Sequence, residues 1–342
     1  MALRFGKLLR EAGSRLPAAL LRPLERPAAL FFHGVERRID DSRVQNNHHD
    51  LSQFFDICTQ LARDFEVLPL DRLGAVLKAP ERHRRAVFLM SDDGYRNTLG
   101  EAAEVLGRFG LPWTLFCSTR HIDTAERNPV FVARLFFLFV DSGKYDIENL
   151  SATLDIPDTE DRERLAEIWI ARLRQLDAAR ADAAVAAMAR ALGERLSPLL
   201  QRFSSDSFLS WDEVRALASR GVEIGAHAHR HWPMHEGQST DYLREQAALS
   251  RARVEAEVGP CRYFAYPFGN TSDVCRKAWH AVRDAGFDYA FTTLSGTLDA
   301  SANPYLMPRY GLALQEARLA SVVPVLRAGN ARLAAWQRAL AG

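Results

Sequence analysis

The 342-residue chain has almost no surplus of either charge: 44 lysines and arginines stand against 43 aspartates and glutamates, a formal net charge of +1. A balance this even, with no basic stripe interleaved with aromatics, leaves no electrostatic footprint for a polyanion and excludes nucleic acid as the expected partner. Cysteine is scarce as well. Its four copies, Cys58, Cys117, Cys261 and Cys275, form no CxxC pair and sit within apolar segments, which predicts small buried hydrophobes in a reducing compartment rather than a disulfide framework. Long apolar runs are missing too. VFVARLFFLFV at 130–140 is too short to span a bilayer and carries Arg134. Residues 1–27, interrupted by Arg10, Arg15, Arg22 and Arg26, hold no apolar core of signal-peptide length, so the expected location is the cytoplasm. That basic N-terminal segment reads as a packing helix, with peripheral contact to an anionic membrane face as the alternative. No internal repeat occurs, and no histidine follows His280.

What is present is the composition of a globular protein, 47% hydrophobic and 25% charged. Short apolar runs recur at AALFFH (28–33), AVFLMS (86–91), WTLFCS (113–118), VEIGAH (222–227), YFAYP (263–267), YAFTT (289–293) and LMPRY (306–310). Amphipathic helical patterns lie between most of them, several ending at a glycine, and Ser210-x-x-Glu213 forms a capping box. Near-continuous apolar strands alternating with helices predict a parallel sheet covered by helices, an α/β fold built as a deformed TIM-like (β/α)7 barrel. The barrel is assigned to 28–124 and 208–312. Residues 125–207, rich in Ala, Leu, Arg and Glu, break the alternation and are expected to form a helical insertion without strands. A C-terminal helix is expected over 313–342, interrupted near Pro324.

In barrels of parallel strands the chemistry gathers at the strand C-terminal ends. There the sequence places His33, then Asp92-Asp93-Gly94-Tyr95, then His227-x-x-x-His231, then Pro267-Phe268-Gly269-Asn270. Four of the ten histidines crowd into nine residues, 227–235. Two imidazoles four apart on a helical turn face one way and can hold one metal, and a carboxylate from another strand completes a set with open positions, the donor set of a catalytic zinc-type site. His229 would point about 200° away on such a turn and stay outside the set. Paired aspartates at a strand end repel unless a cation takes one, which leaves the other free to act on a bound water. A solvated Asp-Gly turn is the plainer alternative.

SDDGY at 91–95, EIGAHAHRH at 223–231 and FAYPFGN at 264–270 resemble, in order and spacing, the successive motifs of the polysaccharide deacetylase family, the NodB-homology domain of carbohydrate esterase family four. FFHGV near the start, FLSWDEVRALASRGVEIG and the late LMPRYGL agree with the resemblance. It implies a metal-dependent hydrolase that removes acetyl from an N-acetylated sugar. Asp92 matches the general base, and Asp93, His227 and His231 match the ligands of a divalent metal, Zn2+ first, with Co2+, Ni2+ or Mn2+ as alternatives. Two departures mark a branch of the family. Ala265 stands where many members carry an arginine, and Pro308-Arg309-Tyr310 stands where they carry a late histidine. His33 is therefore the candidate general acid, the alternative being a loop hydrogen bond. Arg309 is a second catalytic candidate, whose other role would be to orient Asp92. Tyr95, Trp232, Tyr266, Pro267 and Phe268 form the candidate sugar-binding set, against packing as the plain alternative.

The expected substrate is an amino sugar of a cell-surface glycan or its cytoplasmic precursor, lipid- or nucleotide-linked, as in lipopolysaccharide, O-antigen or capsule assembly. A metal-dependent amidase on a non-glycan amide or imide, and an inactive carbohydrate-binding protein, are the alternatives. Oligomeric state is not legible.

Overall fold

The computed structural model of the chain describes residues 26–147, 150, 153–159, 161–312, 319 and 322–341. The expected N-terminal basic segment therefore lies outside the described residues except for Arg26 and Pro27. Each of the seven apolar runs yields a strand: β1 (Ala28–Phe32), β2 (Ala86–Ser91), β3 (Thr114–Cys117), β4 (Glu223–Ala226), β5 (Tyr263–Ala265), β6 (Tyr289–Phe291) and β7 (Tyr310–Gly311). They pair in parallel in the order β6-β5-β4-β3-β2-β1-β7. A two-residue strand that composition did not announce, Glu66–Val67, pairs with the start of β2 and makes the sheet eight-stranded.

The seventh run is the most shortened, for a geometric reason. Met307 bridges Phe291 of β6, and three residues later Tyr310 pairs with Leu30 of β1. The segment therefore crosses from one edge of the curled sheet to the other and closes a deformed (β/α) barrel without a long ladder of its own.

Side chains alternate between two apolar clusters, as the pleat requires. Ala29, Phe31, Phe88, Met90, Phe116, Tyr263, Ala265, Phe291 and Met307 form one, inside the barrel. Their strand neighbours Leu30, Phe32, Val87, Leu89, Leu115 and Phe264 join the other, under the helices Leu51–Asp64, Glu101–Arg108, Trp211–Ser219, Thr240–Val258 and Arg276–Asp284. Gly225 belongs to the inner face, where a Cβ would meet the Phe116 ring at 2.6 Å. The predicted capping box is formed: Ser210 accepts from the Glu213 amide while the Glu213 carboxylate accepts from the Ser210 amide.

The insertion has a core of its own, built on Phe136, Phe137, Leu173, Ala181, Met188 and Phe203. Its helices are Pro129–Phe139, Arg162–Leu173, Ala178–Leu192 and Leu196–Arg202, following a short helix, Thr119–Thr124. The expectation of helices alone is corrected by an antiparallel hairpin, Gly143–Asp146 with Thr153–Ile156. Its second strand alternates exposed and buried residues, a period-2 signal four residues long that the surrounding Ala- and Leu-rich composition masks. The last described helix runs unbroken from Val322 to Ala341. Pro324 falls in its first turn, where a missing N–H costs no intrahelical bond.

Glu223, the first residue of β4, is half-buried, and its carboxyl is pushed up to about 7, first by burial and then by Asp71, with Arg262 opposing. A carboxyl whose folded-state pKa is raised weakens the fold as pH climbs from the unfolded value through the folded one. Glu223→Gln should accordingly raise the thermal midpoint at pH 8, and the gain should vanish near pH 4.5; calorimetry at the two pH values checks it.

Candidate active site

Strand parity aims the chemistry inward. Phe88 and Met90 face the barrel interior, and two residues further, just past β2, so does Asp92; Met307 and Arg309 share the inner face in the same way. Arg309 and Asp92 are both buried, and the guanidinium forks onto the carboxylate, Nη1 to Oδ1 at 2.7 Å and Nη2 to Oδ2 at 2.8 Å. Nε donates to the Thr292 carbonyl at 3.1 Å, and the flat cation lies 4.4 Å from the centre of the Phe31 ring. A bidentate, aromatic-stacked geometry of this kind is one that arginine provides and lysine does not. Burial alone would raise the Asp92 carboxyl, but Arg309 and the nearby imidazoles of His227 and His33 outweigh it and hold the group below its ordinary value.

Asp93 turns the other way. It adopts a left-handed φ of 75°, with Gly94 at 88° completing the turn, and it is buried, so the solvated Asp-Gly alternative does not apply. Its Oδ1 lies 3.2 Å from His227 Nε2 and 2.7 Å from His231 Nε2. One ligand atom from each of the three residues lies within 4.8 Å of the others, a compact N, N, O donor set. Burial raises the Asp93 carboxyl, and the two imidazoles overcome that effect and take it well below the usual range.

The two histidines converge by a route the spacing did not predict. Residues 227–231 form no helical turn; β4 ends at Ala226, and the chain passes through left-handed conformations at Ala228 (φ 57°) and His231 (φ 55°). His227 Nδ1 donates to the Ala265 carbonyl at 2.8 Å, which leaves the lone pair of Nε2 facing Asp93, the tautomer a metal ligand needs. His229 is indeed outside the set, its Nδ1 2.9 Å from Thr119 Oγ1. These donors fit a divalent cation of the borderline class.

His33 stands at the mouth. Its carbonyl accepts from Ser91 Oγ at 2.9 Å, and its ring meets Phe31 edge-on at 5.7 Å. Burial lowers the basicity of this imidazole, while the negative charges of Asp93 and Asp92 work against the shift.

The sugar-binding candidates divide. Phe268 is partly exposed and lies 5.2 Å from the His231 ring, edge-on. Trp232 is sealed in the core of the insertion, with Nε1 donating to Asp182 at 2.7 Å, and Tyr266 is fully buried, its hydroxyl donating to the Tyr305 carbonyl. Neither presents a face to a ligand, because the apolar ring finds a dry core and the polar handle finds a protein acceptor. Tyr95 is likewise buried, stacked on Phe208 at 5.4 Å, and Pro267 is buried as well.

Two neighbours of the donor set escaped sequence reasoning. The Asn128 amide lies 3.2 Å from His231 Nδ1, and the His121 ring lies 6.3 Å from that of His231. Burial, with His231 adding to it, pulls His121 down to about 3. Asn128 precedes Pro129 and reads as a helix cap, which it also is, so nothing local betrays its second contact.

A family model described as polysaccharide deacetylase matches residues 79–290. No curated protein matches the chain in sequence. Among solved structures, the Streptococcus pyogenes deacetylase PplD in complex with acetate superposes at a TM-score of 0.57 and 11% identity, over 90% of this chain and 100% of its own. The de-N-acetylase from Aggregatibacter actinomycetemcomitans gives 0.52 at 13% identity, over 88% and 100%. IcaB from Ammonifex degensii gives 0.53 at 14%, over 88% and 98%. At these identities the likeness is one of fold.

Removing one member of a buried ion pair strands the other, at a cost of about 3–5 kcal/mol. Arg309→Leu should lose about that much stability in urea unfolding, and Asp92→Leu in the same chain should restore most of it.

Proposed function

The chain belongs to the polysaccharide deacetylase family, and we propose that it is a metal-dependent hydrolase removing the N-acetyl group from an amino sugar of a cell-surface glycan or its precursor. The observation that carries this reading is the adjacency of two differently committed aspartates: Asp93 in a donor set with His227 and His231, and Asp92 outside it, ionised and pinned by Arg309. A binding protein has no use for a base beside a metal.

Asp93, His227 and His231 would hold the cation, with Zn2+ the first choice for two imidazoles and one carboxylate. When bound, the ion supplies a water of lowered pKa and polarises the acyl oxygen. Asp92 takes the proton of the attacking water, and its low basicity is offset by a fixed orientation that costs nothing at the moment of reaction. Arg309 acts through Asp92, fixing both carboxylate oxygens so that the base cannot rotate away. His33 protonates the leaving nitrogen as the C–N bond breaks, giving acetate and a free sugar amine. Phe268 offers the sugar an apolar edge.

Four buried, unpaired cysteines support a reducing compartment, and we place the reaction in the cytoplasm, at the inner membrane face, on lipid- or nucleotide-linked intermediates of lipopolysaccharide, O-antigen or capsule assembly. Among the described residues no helix is long and apolar enough to cross a membrane.

Purified protein should carry one equivalent of divalent metal and release acetate from N-acetylated sugars, and Asp93→Ala, His227→Ala and His231→Ala should lose both. Folded protein with neither metal nor acetate release would overturn the reading. His33→Ala should keep its metal and lose about 100-fold or more in turnover; near-normal turnover would remove His33 from the mechanism.

A further inference from the structure

His231 sits in a conformation that side chains resist. A left-handed φ of 55° on a residue with a Cβ persists where the surroundings over-determine it. The surroundings here are the insertion. Asp182, on the insertion helix Ala178–Leu192, holds the residue on each side of His231: one carboxylate oxygen pairs with Arg230, and the other accepts from Trp232 Nε1 at 2.7 Å. Asn128, at the start of the helix Pro129–Phe139, places its amide 3.2 Å from Nδ1 of His231. Arg174, capping the insertion helix Arg162–Leu173, lies 4.0 Å over the Phe268 ring, which packs edge-on against His231, and is tethered by Asp273 Oδ2 at 2.6 Å. Three insertion helices thus bear on His231, one at its ring and two through the residues around it.

We propose that the helical insertion is the positioning device for His231, with Asp182 fixing the backbone turn that presents it and Asn128 fixing its ring. The inference rests on the metal-site reading above. A ligand histidine needs an acceptor on its second nitrogen to fix tautomer and plane. With Nε2 given to the cation, Nδ1 carries the proton; Asn128, whose Nδ2 faces Nδ1 here while its Oδ1 caps the Val130 amide, supplies an acceptor when its amide is turned end for end, at the expense of that cap. By contrast, His227 is served by a barrel carbonyl, that of Ala265. The two imidazole ligands are therefore oriented by different parts of the chain, one by the barrel and one by the insertion.

The test is Co2+ affinity of the full chain, read from visible absorption in competition with a chelator, alongside the thermal midpoint of the metal-free protein. Asn128→Ser retains a helix-capping hydroxyl but is too short to reach the imidazole. It should leave the metal-free midpoint near wild type and weaken Co2+ binding about 10–100-fold. Asn128→Asp, which keeps an acceptor for Nδ1–H, should bind Co2+ at least as tightly as wild type. Asp182→Asn, which removes the charge facing Arg230, should also weaken binding. Arg195→Ala, which breaks an ion pair with Asp141 within the insertion at 2.6 Å, is the control and should leave Co2+ affinity unchanged. Wild-type affinity in both Asn128→Ser and Asp182→Asn would overturn the inference and leave the proposed function standing. Wild-type protein that binds no Co2+ would overturn both.

Discussion

The arrangement depends on keeping two neighbouring carboxylates charged in a dry interior. Asp92 and Asp93 are both buried, and in such a place each charge must be met at close range or given up. The chain meets them separately. Asp92 receives a guanidinium from the closing segment on the other side of β1 through two hydrogen bonds, and Asp93 faces two imidazoles that form with it a compact N, N, O set. Most else at the mouth serves this division. The inward parity of β2 and of the closing segment brings Asp92 and Arg309 together, and the left-handed turn at Asp93-Gly94 sends the second aspartate elsewhere.

Much of this was legible in the sequence. Apolar runs with polar ends located the strands, and the order of the motifs located Asp92, Asp93, His227 and His231, because burial and pleat are local properties of a strand. What escaped was non-local. The HxxxH spacing suggested a helical turn, whereas the histidines converge through two left-handed residues held from outside. Trp232 beside His231 looked like a sugar platform, but its place was decided by a helix about fifty residues earlier that supplies both an apolar core and Asp182. The insertion hairpin was missed because four residues of alternation cannot compete with a long run of helix formers.

The arginine that meets Asp92 comes from outside the third motif. Ala265 occupies the usual position, and its backbone carbonyl instead orients His227, while Arg309 reaches Asp92 from the segment before β7. His33 ends β1, the strand that lies between the one carrying Asp92 and the closing segment, so the topology brings its ring to the same mouth.

The segment from Met307 to Gly311 does two things at once: it joins the outer strands of the curled sheet, and it delivers Arg309. Barrel closure and charge compensation are therefore one event. A chain whose last strand has not docked holds Asp92 without its counter-ion in an apolar enclosure, a state at once inactive and poorly stable. Ripening of the site is in this way coupled to completion of the fold.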